Sequence, residues 1–350
     1  MERMKVNHIT QVESSVLGFS EIVARVKTKQ GFPESEGGKY VSIRIPGIIE
    51  APNGDLIAYF ECRTGGDWSA IDLCCRTSTD GGRSFGERTL LVSGKGRMTL
   101  NNPVMFTHGD KMLFLYCEGY KRLFCRVSLD SGRTWREPRE LTNDIDAQMG
   151  DTFWSNLAPG PGHGLTTATE RLIVPVWFAV NKTDIYAHHP SIVRTIYSDD
   201  GGESWRLGDI LPYDGIIDPN ESSLCELEDG RIMINTRNMC AEKRRAVAYS
   251  SNGGKSFTPL RLCDDLPDPR CMGALCRTRD RILFSNCKSE NGRKNLTVST
   301  LDELSHARDT FELCPTGGYS DIIYSHRRGR AYVLFECEDC TKICCAEIEV

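Results

Sequence analysis

An eight-residue pattern returns four times in this chain, as STDGGRSF from Ser78, SLDSGRTW from Ser128, SDDGGESW from Ser198 and SSNGGKSF from Ser250. The consensus is S-x-D-x-G-x-[ST]-[WF], with Asn252 in place of Asp in the fourth copy, and the starts lie 50, 70 and 52 residues apart. A weaker fifth copy, STLDELS, begins at Ser299, 49 residues further on, without the glycine or the aromatic. Such a segment is a hairpin turn: Asp accepts from backbone N–H groups ahead of it, Gly takes positive φ, and the closing aromatic packs beneath the loop. The runs beside the copies, IDLCCRTS, LFCRVS, IVRTIYS and RAVAYS, alternate as strands do. No long stretch holds helical spacing, and turn signals interrupt almost every candidate. The fold class is therefore all-β, and repeats of roughly 50 residues, each with several strands and one stereotyped turn, predict the blades of a β-propeller.

No Pro/Gly/Ser-rich or charge-run linker divides the 350 residues, so a single domain is expected over 1–350, its ring closed by N- and C-terminal strands. With a net charge of −5 and no basic excess, nucleic acid is not an expected partner, and an anionic ligand has to be held by a local cluster. No apolar run is long enough to span a bilayer and the first residues lack a secretory h-region, so membrane insertion is not expected. Sixteen cysteines in a chain of this size read as reduced, buried thiols of a cytoplasmic protein, although a chain whose signal had been removed would read the same way. The spacing of Cys337, Cys340, Cys344 and Cys345 invites a zinc or iron–sulfur reading. The second half of such a motif is missing, so the segment is expected to be a closing hairpin and no metal or organic cofactor is predicted.

The four copies resemble the Asp boxes (BNR repeats) of the sialidase, or neuraminidase, superfamily, which implies a six-bladed β-propeller with four-stranded antiparallel blades. Residues outside the boxes extend the resemblance in the family's chain order, from about residue 40 to the C-terminus. Arg44 stands in an Arg-Ile-Pro motif (RIPGI), Asp67 in FECRTGGDWSAIDL, Glu221 and Arg237 at either end of NESSLCELEDGRIMINTR, Arg293 in NGRKNLTVST, Tyr319 in GGYSDIIY and Glu336 in YVLFECED. The resemblance implies that Arg44, Arg237 and Arg293 bind a substrate carboxylate, that Glu336 braces Arg44, and that Tyr319 is the nucleophile activated by Glu221. Asp67 is then the acid/base, with Asp72 as the alternative because the stretch before it is shortened. The implied activity is that of a retaining exo-α-sialidase acting on sialylated glycans or oligosaccharides. A trans-sialidase, an intramolecular anhydro-forming enzyme and a non-catalytic glycan-binding propeller are the alternatives.

Each role has a physical reason. Guanidinium groups grip a carboxylate through charge-assisted, partly bidentate hydrogen bonds. A carboxylate nucleophile would be driven against the acid of the sugar, whereas a phenol is neutral; tyrosine is the exception known among glycoside hydrolases. With an ordinary pKa near ~10 the phenol needs a base within reach as it attacks. Asp80, Asp130 and Asp200 need no such role, because turn chemistry accounts for them. His163, in GPGHG, is read as a hydrogen-bonded structural histidine. Trp68 and Trp154 are candidate walls for the arms of the sugar, and Cys287, where a proline is expected, is read as loosening the loop toward Arg293.

Overall fold

A computed structural model describes residues 4–28 and 40–350. Six small antiparallel sheets follow one another along the chain, as the turn spacing predicts. Blade 1 consists of Ser42–Glu50, Leu56–Arg63, Ile71–Ser78 and Thr89–Val92. Blade 2 has Leu100–His108, Lys111–Glu118, Arg122–Ser128 and Arg139–Glu140. Blade 3 has Asn156–Pro159, Leu172–Ala179, Ser191–Ser198 and Arg206–Leu207. Blade 4 has Ser222–Glu226, Ile232–Thr236, Arg244–Ser250 and Arg261–Pro267, and blade 5 has Ala274–Arg277, Ile282–Cys287, Lys294–Leu301 and Ala307–Thr316. Two-residue strands, Gly162–His163 and Leu165–Thr166, add a fifth member to blades 2 and 3.

Blade 6 joins the two ends of the sequence. Ser320–Ser325, Arg330–Cys337 and Lys342–Glu349 form three of its strands, and the fourth is Lys5–Ser14, antiparallel to Lys342–Glu349 with Lys5 opposite Glu349 and Ser14 opposite Lys342. The ring therefore closes by hydrogen bonds between a first and a last strand, which leaves no open seam there. The middle strands are buried along their length because each is covered on both faces by neighbouring blades; Leu56–Arg63 and Leu172–Ala179 are examples.

All four copies of the repeated octapeptide join the third strand of a blade to its outer strand, and they share one hydrogen-bond scheme. Ser78 Oγ accepts the Gly82 N–H (2.8 Å), while Asp80 accepts the Ser84 N–H (2.9 Å) and the Ser84 hydroxyl (2.6 Å). Asp130 and Asp200 repeat it with Thr134 and Ser204. In the fourth copy Asn252 Oδ1 accepts the Ser256 N–H (3.0 Å) but its Nδ2 donates to Ser256 Oγ (2.8 Å), so the hydroxyl reverses its role and the turn survives. Blade 5 uses Asp302 at the same corner, accepting from Leu304 and His306 N–H groups.

Helix is scarce, as expected, and confined among the described residues to two short elements. Phe19–Thr28 is a ten-residue helix, α1, and Thr142–Asp146 a single turn, α2. Phe19, Ile22, Val23 and Val26 follow the i, i+3, i+4, i+7 rule, but over a stretch too short to stand out beside strand signals. Its stability comes from docking on the propeller rather than from intrinsic propensity.

Candidate active site

In an up-and-down blade the beginning of the first strand, the end of the second and the beginning of the third lie on the same face. Arg44 lies near the start of Ser42–Glu50, the first strand of blade 1. Glu221 immediately precedes Ser222–Glu226, Arg237 immediately follows Ile232–Thr236, Arg293 immediately precedes Lys294–Leu301, Tyr319 immediately precedes Ser320–Ser325 and Glu336 nears the end of Arg330–Cys337. Residues spread over 293 positions of sequence thus converge on one rim of the ring.

Tyr319 lies at the centre of the cluster. Its hydroxyl donates to the Glu221 carboxylate, 2.6 Å from Oε1 and 2.8 Å from Oε2, and accepts from Arg237 Nη1 at 2.7 Å. Arg237 also pairs directly with Glu221. The other two arginines flank the same ring, with Arg293 Cζ 5.1 Å and Arg44 Cζ 5.2 Å from its centroid. Burial pushes the phenol well above its ordinary range, Arg237 opposes that, and the Glu221 carboxylate adds to it. Tyr319 is therefore a neutral phenol at physiological pH, already hydrogen-bonded to a proton acceptor.

Glu336 is fully buried and ties this cluster to the backbone. Oε1 accepts from Arg44 Nε (2.5 Å) and the Ile45 N–H (3.0 Å), and Oε2 from the Tyr319 N–H (2.8 Å) and Cys340 Sγ (3.2 Å). Burial by itself would raise its pKa, but Arg44 above all, together with Arg293 and the Tyr319 N–H, holds the carboxyl below its ordinary value. The Arg-Ile-Pro segment explains why the Ile45 N–H is available to Glu336 rather than to the strand ladder: the ladder shifts register between Arg44 and Gly47, and Ile45 takes φ +59°. Pro46 therefore sits in a bulge, where a missing donor breaks no ladder bond.

The same device recurs one blade on, where Asn102 has φ +53° and its N–H donates to Glu61 at 2.8 Å. Glu61 in turn accepts from Arg63 Nε (2.7 Å), and Arg63 Nη1 reaches Asp67 at 2.5 Å. Asp67, in the loop after Leu56–Arg63, keeps 56% of its side chain exposed and touches none of the other six candidates directly, but it shares a cavity wall with Arg44. Desolvation works against its charge, yet Arg63, then Arg44 and His188, prevail and bring the carboxyl down to about 2. Asp72, by contrast, is buried and accepts the Gly94 N–H (2.6 Å) and the Tyr40 hydroxyl, the bonds of a structural residue.

Beside Asp67 an aromatic cluster comes from three blades. Trp68 lies 4.8 Å from Tyr120, 5.1 Å from Tyr186 and 5.7 Å from His188, and Trp177 lies 5.3 Å from His188. The buried Trp177 Nε1 and His188 Nε2 have no partner among the described residues. Sequence reasoning reached Trp68 but missed Glu61, Arg63, Tyr120, Trp177 and His188. Only Glu61-Cys-Arg63 left a trace, a charged pair on one face of an otherwise apolar strand.

Other candidates have structural positions. Trp154 donates to Asp146 (2.8 Å) and meets Phe178 edge-on. His163 Nδ1 bonds Asp321 Oδ1 at 2.7 Å at the edge of a cavity of about 670 Å³ that Glu50, Glu226 and Arg277, at the far ends of inner strands, also line. Cys287 is fully buried and donates to the Gly318 carbonyl at 3.4 Å, a bond to the loop before Tyr319, whereas the loosening expected of it concerned the loop toward Arg293. Among the described residues all sixteen cysteines are free, and no group of His, Cys, Asp or Glu is arranged to hold a metal.

Comparison with known proteins agrees with this architecture. The BNR repeat-like domain family matches residues 86–327. A sialidase of Micromonospora viridifaciens is 28% identical over 80% of this chain and 46% of its own length, and mouse sialidase-4 is 32% identical over 67% and 54%. The chain thus spans about half the length of these curated relatives. Among solved structures, a Hadza microbial sialidase superposes with TM-score 0.75 at 21% identity, over 88% of this chain and 66% of that one. The intramolecular trans-sialidase of Ruminococcus gnavus does so with TM-score 0.72 at 14% identity, over 97% and 98%. At such identities these structures speak for the fold, a six-bladed propeller. With the repeat family matched over most of its length, the chain belongs to the BNR repeat-like, Asp-box family of sialidase-type propellers.

Proposed function

We propose that this protein is a retaining exo-α-sialidase that releases terminal sialic acid from glycans. The observation that carries the reading is the hydrogen-bonded set Glu221–Tyr319–Arg237, with Arg44 and Arg293 flanking the same phenol. The kinship with sialidases of bacterial and mammalian origin supports the substrate class.

The sugar carboxylate is taken by Arg44, Arg237 and Arg293, which sets the anomeric carbon over Tyr319. As the phenolic oxygen bonds to that carbon, its proton passes to Glu221, and Arg237 stabilises the charge developing on oxygen. The bond to the aglycone breaks with its electrons on the glycosidic oxygen, which takes a proton from Asp67. Water then attacks the tyrosyl–sugar bond, losing its proton to Asp67, while Tyr319 leaves and recovers its proton from Glu221. Two displacements give net retention. Asp67 is ionised in the free protein, but a substrate carboxylate on Arg44 offsets part of the charge that lowers its pKa, so substrate binding itself favours loading the acid.

The test is a fluorogenic α-sialoside with wild type and Tyr319→Phe side by side. The variant is expected to keep its fold and lose turnover; undiminished turnover would remove Tyr319 from the mechanism. A second outcome has an observation in its favour, since Trp68 and Tyr186, 39% and 64% exposed beside Asp67, offer stacking surface for a sugar acceptor. Product masses separate free sialic acid from a transferred or anhydro product.

A further inference from the structure

The helix α1 lies against the rim that carries Arg44 and Arg293. Leu17, Ile22 and Val41 form a small apolar cluster beneath it, and the Val16 and Leu17 N–H groups both donate to the Val41 carbonyl (3.0 and 2.9 Å). Its first turn is fastened to the blade 6 hairpin. Phe19 N–H donates to the Asp339 carbonyl (2.6 Å), and the Asp339 carboxylate accepts the Ser20 N–H (3.1 Å) and hydroxyl (2.9 Å). A carboxylate there satisfies first-turn donors that the helix cannot. Gly18 makes the approach possible, for a Cβ at this position would overlap the Asp339 carboxylate.

So anchored, the Phe19 ring lies 3.8 Å from Arg293 Cζ and 4.9 Å from Arg44 Cζ, measured to its centroid. Arg44 has Glu336. Among the described residues no carboxylate lies within ion-pair distance of Arg293, and its buried Nη1 has no acceptor. An acid beside Arg293 would hold the guanidinium but consume its donors and repel a substrate anion. An aromatic face attracts the cation through its quadrupole and leaves the N–H edges free. Phe19 also borders, with Ile22, Val23 and Val26, a cavity of about 480 Å³ whose opposite wall is Arg44, Arg63, Asp67 and Trp68. The ring therefore lines the same cavity as Arg44 and Asp67.

We infer that Phe19 is a positioning residue of the anion site, fixing the Arg293 and Arg44 guanidiniums so that their free N–H groups meet a substrate carboxylate. The inference rests on the sialidase reading. Its test is calorimetric binding of a 2,3-unsaturated sialic acid analogue, with KM and kcat on a fluorogenic sialoside, for wild type, Phe19→Ala, Phe19→Leu and Phe19→Tyr. Leu fills volume without a quadrupole, and Tyr restores the ring should Ala impair folding. Phe19→Leu is expected to weaken analogue binding and raise KM about tenfold, with kcat within about threefold of wild type, while Phe19→Tyr restores both. Unchanged binding in Phe19→Leu would reduce the ring to packing, and tighter binding in Phe19→Ala would make it an obstruction; either overturns the inference alone. A wild-type protein that neither binds the analogue nor turns over the sialoside would instead bring down the sialidase reading, and this inference with it.

Discussion

Replacing Glu336 with Gln keeps the shape of the side chain and removes one charge, at a position where every acceptor lone pair is already engaged. The carboxylate serves donors on both oxygens: Arg44 Nε and the Ile45 N–H on one, the Tyr319 N–H and Cys340 Sγ on the other. An amide has only one acceptor oxygen, so either orientation turns its NH₂ group against an N–H that was previously paired. One buried donor left unmatched costs about 1–3 kcal/mol. The Arg44 side chain, 6% exposed, loses its counterion as well, and breaking a buried pair from one side costs about 3–5 kcal/mol in total. Equilibrium urea denaturation at pH 7 is expected to register a loss in that range, with weaker binding of the unsaturated analogue because Arg44 is no longer tethered. The pH dependence gives an independent check. Because the folded Glu336 carboxyl lies below its ordinary value, its stabilisation is complete above the ordinary carboxyl range and drains as pH falls through the folded value. The gap between wild type and variant should hold from about pH 6 to 8 and narrow only in acid. A loss below about 1 kcal/mol at pH 7, or a gap that widens on acidification, would refute the claim that this carboxylate braces the site.

Asp67→Asn should lower kcat/KM far more on an unactivated sialyl oligosaccharide, by about 10²-fold or more, than on an aryl sialoside whose leaving group needs little protonation; equal losses on both would deny it the role of acid. Gly318→Ala would drive a methyl into Glu336 Oε2 and place it 2.8 Å from Cys340 Sγ, and is expected to cost about 1–3 kcal/mol in urea denaturation together with loss of turnover. His163 is pushed down by burial but raised more strongly by Asp321, so its pair stabilises fully below about pH 6.5 and less as pH rises through the folded value. Urea midpoints at pH 6 and pH 9 should therefore converge in His163→Asn relative to wild type, and an unchanged pH slope would count against the pair.

What the sequence discloses and what it hides depend on the range of the forces involved. An Asp box is closed by bonds among residues two to four positions apart, so Ser78, Asp80 and Ser84 are legible as a turn without any knowledge of the ring. Arg44, Glu221 and Tyr319 are legible through short flanking motifs, and the structure brings them together across blades. Glu61, His188 and Phe19 are not, because each acquires its meaning from a partner in another blade or beyond: Asn102 for Glu61, the Asp67 loop for His188, the arginine pair for Phe19. Arg245 is the extreme case. It is wholly buried in blade 4, bonding Asn235 Oδ1 and the Cys271 carbonyl at 2.6 Å each, yet RAVAYS reads only as a strand and nothing in it marks the arginine as a core residue.

The pairing of Lys5–Ser14 with Lys342–Glu349 has a consequence for biosynthesis. The edge of Lys5–Ser14 stays unsatisfied until Lys342–Glu349, more than 300 residues further along the chain, has been made. The Asp339 hairpin that holds Phe19, and Glu336 that holds Arg44, belong to the same blade. A chain interrupted before Arg330 can thus form five blades but lacks both the strand that closes the ring and the residues that hold Phe19 and Arg44, so this rim assembles only when blade 6 does.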